Sequence, residues 1–129
     1  MRKLSPHLSI YKFPITAISS IFNRISGIYI AGVVGSGIVI HSLDNNVKDN
    51  IYKKYYELNK ITSKTLNFTV VYPFVYHTFG AIRHLIWDFN PKLLTNNSVK
   101  NSSRFILIGS IVPTILIDDK FLEKFIKYS

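Results

Sequence analysis

The stretch ISGIYIAGVVGSGIVIHSL, residues 25–43, decides the fold, because nineteen residues pass without a formal charge. A helix needs roughly 20 apolar residues to cross a hydrocarbon core of about 30 Å. Two further runs lie beyond it. Leu66–Ile82 adds seventeen uncharged residues, with apolar character resuming at Leu85–Trp87, and Phe105–Ile117 adds thirteen. The last is short for a crossing and needs snorkelling flanks or a thinned bilayer. The pattern predicts an all-α membrane protein, a single domain over residues 1–129, with spans at about 18–43, 66–89 and 104–117.

The segments between the runs are polar. Pro6 and Pro14 discourage a long helix in residues 1–17. Within DNNVKDNIYKKYYELNKITSKT, residues 44–65, Ile51, Tyr55 and Leu58 repeat at helical spacing, which predicts a short helix on the membrane surface. Pro73 predicts a kink in the second helix, Asn90–Pro91 its stop, and TNNSVKNSS, residues 95–103, a loop before the third. The tail over residues 118–129 sets Phe121, Leu122, Phe125 and Ile126 on one side, an amphipathic pattern suited to the interface.

Composition narrows the chemistry. The net charge of +9 raises nucleic acid as a partner, but the basic residues are scattered between apolar runs, with no basic module or stacking platform. Lipid is the partner this pattern fits. The absence of cysteine excludes disulfides, thiolate-held iron–sulfur clusters and thioether-attached haem, so any electron carrier here is ligated by histidine. The opening residues are not those of a secretory signal or a transit peptide. Phosphate-cradling loops, metalloprotease motifs and nucleophile elbows do not occur. Lysine and arginine number eight on each side of the three expected spans, so the positive-inside rule does not orient the chain.

Two helix faces carry the candidates. Ser20, Arg24, Gly27, Ala31 and Gly35 follow one another at steps of three or four residues, so they share one side of a helix. A polar pair thus heads a stripe of small residues, which lets another membrane helix approach closely. Arg24 would cost about 2.5–3.5 kcal/mol at the bilayer centre, so it either snorkels or meets a buried polar partner. Ser20 either caps or back-bonds the helix, or joins Arg24 as a donor pair for a quinone carbonyl. In HTFGAIRH, residues 77–84, His77 and His84 share a face but stand about 10 Å apart along the axis, so one iron cannot take both. His77, mid-segment, is the better metal ligand, its alternative being a buried histidine bonded to a neighbouring helix. His84 lies near the interface with Arg83, Trp87 and Asp88, where pairing with Asp88 is the plain alternative. His41 and His7 read as structural, and Trp87 with the helix-end tyrosines as an aromatic belt.

SPHLSIYKFPITAISSIFNRISG, residues 5–27, and YHTFGAIRHLIWDF, residues 76–89, together cover over a quarter of the chain. They resemble the SPHL-x-IY lead, S-I-x-H-R-x-[ST]-G and H-x-x-x-G-I-R-H-x-x-W-D motifs of the cytochrome b membrane anchors of succinate dehydrogenase, the larger anchors of respiratory complex II. The resemblance implies three transmembrane helices packing with a second, smaller anchor into a bundle around haem b. Ser20 and Arg24 match residues that line the ubiquinone pocket, and His77 the axial haem ligand, whose opposite partner comes from the small anchor. Asn23, Arg24 and His84 fall where propionates or nearby polar groups are contacted. The implied N-terminus lies on the matrix or cytoplasmic side. The implied function is to pass electrons from the iron–sulfur subunit to ubiquinone, beside a flavoprotein subunit, with no catalysis by the isolated chain. The mitochondrial inner membrane is the implied location, a bacterial cytoplasmic membrane the alternative. A haem-free scaffold of the same complex and a quinol:fumarate reductase anchor are the alternative functions. Three features depart from the pattern. Asn23 stands for the usual histidine, Ala81 for the usual glycine with Gly80 one place earlier, and the third span is short.

Overall fold

A computed structural model describes residues 13–118, and among these every regular element is helical. Helix α1 spans Ile15–His41, α2 Asn45–Tyr56 and α3 Lys60–Phe89; a 3₁₀ turn at Pro91–Leu93 leads to α4 at Asn96–Gly109. After a turn at Ser110 a last helix, α5, covers residues 111–118. His7 and nearly all of the tail, residues 119–129, lie outside the described residues.

The helix boundaries follow from local chemistry. Pro14, with φ of −72°, stands at the N-terminus of α1, and the Lys48 ammonium donates to the His41 carbonyl at its other end, 3.2 Å away. Helix α2 lies where the spacing of Ile51, Tyr55 and Leu58 predicts a short helix, but it ends at Tyr56, so Leu58 falls beyond it. Helix α3 starts six residues before the expected Leu66, because the Asn59 side chain accepts from the Thr62 amide at 2.8 Å and caps it. It ends at Phe89, as Asn90–Pro91 implies. The segment expected as a loop, residues 95–103, is instead the first half of α4. Thr95 Oγ1 accepts from the Ser98 amide, and Ser102 and Ser103 turn their hydroxyls back onto the Val99 carbonyl. Pro113 has no N–H to offer the Gly109 carbonyl, which accounts for the turn at Ser110 between α4 and α5.

Helices α1, α3 and α4 pack on one another, and the packing is inverted in polarity. The buried side chains include Ser19, Ser26, Arg83, Ser103, Ser110 and Thr114, whereas among the described residues only Val75, Tyr76 and Ile106 are buried hydrophobic ones. Ile28, Val34, Ile38, Val39, Phe105 and Ile108 point outward. Water would drive the reverse arrangement, because apolar burial is the main favourable term in folding there. Lipid would not, since its tails are as apolar as leucine and helices then associate through small and polar groups. Among the described residues one helix, α1, is long and apolar enough to cross a membrane. Helix α3 is longer but carries Lys60, Lys64, Arg83 and Asp88, and the first half of α4 is polar.

Candidate haem and quinone site

The site lies where α3 crosses the first half of α1. Tyr76 and His77, consecutive on α3, both reach α1. The Tyr76 hydroxyl donates to the Ser19 carbonyl at 2.9 Å and meets Ser19 Oγ at 3.0 Å. His77 Nδ1 lies 2.9 Å from the Asn23 carbonyl oxygen. A carbonyl only accepts, so the imidazole proton is on Nδ1 and the lone pair on Nε2. Ser26 Oγ donates to the same carbonyl at 2.8 Å and stands 3.4 Å from His77 Nδ1.

Gly27 makes the approach possible. A Cβ there would stand 2.8 Å from His77 Cε1 and 3.3 Å from Nδ1, closer than side chains tolerate. The head of the small-residue stripe is therefore used inside the chain, by a histidine. Among the described residues, Gly32, Gly35 and Gly37 have nothing within 4 Å of a Cβ position, which leaves space for another helix. Gly80 plays the matching part on α3: the Asn23 side chain occupies the space a Cβ would need. Asn23 Oδ1 is buried there without a hydrogen-bond partner among the described residues.

Ser20 and Arg24 are exposed and make no hydrogen bond within the described residues. Each follows a residue of the packed face, Ser19 and Asn23, so each sits about 100° further round the helix. Ser20 neither caps α1 nor bonds a carbonyl. His84 is exposed too. It does not bond Asp88; its ring stands edge-on to Trp87, with centroids 5.4 Å apart. Arg83 is buried, at 8% exposure, donates through Nη1 to Ser103 Oγ at 3.0 Å, and lies over the Trp87 ring at 4.7 Å. His41, exposed in the last turn of α1, lies at the far end from this contact.

The pattern named Ser20 where the structure buries Ser19, and it missed Ser26, Tyr76 and the Arg83–Ser103 link. Hydroxyls are poor signals in a sequence, because a serine that bonds its own helix cannot be told from one that bonds a neighbour. A sign was present for Ser26 alone, which adjoins Gly27 on the turn that meets His77.

Among the described residues no three acidic, histidine or cysteine side chains gather as a protein-only metal cage. A single imidazole with a committed Nδ1–H and a free Nε2 suits a metal that arrives with its own equatorial ligands. A family model described as the succinate dehydrogenase/fumarate reductase transmembrane subunit matches residues 1–117. The chain belongs to this family. This anchor chain is 34% identical over 116 residues to the mitochondrial succinate dehydrogenase cytochrome b560 subunit of Sus scrofa, covering 88% of the chain and 68% of that protein. The mitochondrial cytochrome b560 subunit of Dictyostelium discoideum is 32% identical over 118 residues, covering 86% and 58%. The mitochondrial inner membrane protein SHH3 of Saccharomyces cerevisiae is 31% identical over 118 residues, covering 86% and 59%. The chain thus spans between 58% and 68% of these relatives' lengths. It is a cytochrome b anchor of the complex II type, and its setting is the mitochondrial inner membrane.

Proposed function

We propose that this anchor serves a succinate:ubiquinone oxidoreductase, holding one face of a haem b through His77 and lending Ser20 and Arg24 to the quinone pocket. The state of His77 carries the reading. Its Nδ1–H is committed to the Asn23 carbonyl at 2.9 Å, which orients the ring and leaves the Nε2 lone pair as ligand. When bound, haem b would supply a one-electron carrier.

The rest follows from what the chain's own groups can do. Ser20 and Arg24 present a hydroxyl and a fixed cation one helical turn apart, both unengaged within the described residues. A quinone oxygen grows more basic and more negative as it is reduced, so donors already in place favour the reduced states. Asn23 can turn only its amide nitrogen to a propionate, Arg24 a charged fork, and His84 a ring nitrogen. The open face of α1 at Gly32 and Gly35, about 60° apart round the helix, suits a second anchor helix, with the small anchor, iron–sulfur and flavoprotein subunits completing the assembly. Residues 96–118 are helical apart from Ser110, about 33 Å of path, which supports a third crossing despite the short apolar run.

In the assembled complex, Ser20→Ala or Arg24→Ala should cut succinate-to-ubiquinone turnover by roughly a hundredfold, the range for removing one electrostatic donor. Succinate oxidation by an artificial acceptor should survive. Parallel loss of both activities would contradict the assignment of the pair.

A further inference from the structure

Ser26 is 7% exposed and stands between two partners that the function does not explain. Its hydroxyl donates to the Asn23 carbonyl at 2.8 Å, the oxygen that takes the His77 Nδ1 proton at 2.9 Å. Two donors therefore share one acceptor. Each draws electron density from the oxygen and weakens its hold on the other. We infer that Ser26 is a positioning residue that moderates the His77 Nδ1–H bond and thereby sets the electron-donating strength of Nε2. The inference rests on His77 being the haem ligand.

The direction of the effect follows from the donor count. A histidine whose Nδ1–H is held by a strong acceptor is a more basic ligand, and a more basic ligand favours ferric over ferrous iron. With its proton on the Asn23 oxygen, Ser26 competes with the imidazole and keeps it nearer neutral. The Ser26 oxygen itself, 3.4 Å from Nδ1, is too distant to be the main acceptor. Removing the hydroxyl leaves the carbonyl to His77 alone, and the ferric state gains. A residue that only filled space would not bias the redox pair.

The test is a redox titration of the b-type absorbance in the purified four-subunit complex, wild type against Ser26→Ala and Ser26→Thr. For Ser26→Ala the midpoint should fall. The ferric-to-ferrous ratio at the wild-type midpoint should rise roughly two- to tenfold, about 20–60 mV at 59 mV per decade for one electron. Ser26→Thr keeps the hydroxyl and should restore the wild-type midpoint. Flavin content and dye-linked succinate oxidation report assembly; should the alanine variant fail to assemble, Ser26→Cys takes its place, its weak thiol donor predicting a fall of the same sign. An unchanged or raised midpoint in an assembled variant overturns the role of Ser26 and leaves His77 as ligand untouched. A wild-type complex without a b-type haem overturns the His77 reading, and this inference with it.

Discussion

At residue scale the decisive contact is that of an imidazole against a glycine. Gly27→Ala would put a methyl group 2.8 Å from His77 Cε1, and the ring has to leave the Asn23 carbonyl to relieve it. The expected result is a complex that assembles but loses roughly half or more of its b-type absorbance, since overpacking forces side chains off their positions. Absorbance per flavin measures this directly, and full haem content would show that the ring has another seat. That His77 needs a partner was legible in the sequence, because it is an ionisable group deep in an apolar run, and the structure gives it a bond to the neighbouring helix, the alternative that the sequence left open. Its lock was not legible, because a backbone carbonyl leaves no mark on the sequence. Asn23 and Gly80 belong to the same scale. Two of the three departures from the family pattern meet in one place, with the Asn23 side chain filling the space that Gly80 leaves on α3.

Among the elements, α3 and α4 are joined by the Tyr72 hydroxyl, which donates to the Leu107 carbonyl at 3.1 Å, and by a cation with few partners. Among the described residues the buried Arg83 guanidinium has one hydrogen bond, to Ser103 Oγ, one aromatic face, Trp87, and an Nε without a partner. Losing a hydrogen bond to a charged group costs about 1.5–3 kcal/mol. Ser103→Ala should therefore lower the thermal unfolding temperature of the solubilised complex while leaving dye-linked turnover at low temperature intact. An unchanged transition would mean that Arg83 is held by groups outside the described residues. The long helices were readable from apolar run length and from Asn90–Pro91. Their true starts were not, because Asn59 and Thr95 extend α3 and α4 into polar sequence by capping, and capping is a property of single residues rather than of hydropathy. The expected 104–117 helix is the second half of a longer path that starts at Asn96.

On the scale of the whole molecule, the buried side chains among the described residues are mostly polar, Ser19, Ser26, Arg83, Ser103, Ser110 and Thr114 among them, while most of the isoleucine, valine and phenylalanine side chains lie outside. That sorting makes sense in an apolar solvent, where hydroxyls that bond carbonyls, such as Ser110 to Ile106 and Thr114 to Ser110, both at 2.6 Å, let polar side chains sit between helices without an unmet donor. The membrane class was readable from composition, since three apolar runs are hard to hide. Which face meets a partner was not, because the exposed flank of α1 bearing Ser20, Arg24 and Gly35 differs from the packed flank by a single step of the helix. The central proposal is that α3, packed against α1, presents His77 Nε2 to a haem iron. Its most direct test is the dithionite-reduced minus oxidised spectrum of the purified complex, wild type beside His77→Ala, at equal flavin content. A b-type band present in the wild type and lost in the variant, with dye-linked succinate oxidation kept, is the predicted result. A band that survives the substitution, or is missing from both, contradicts it.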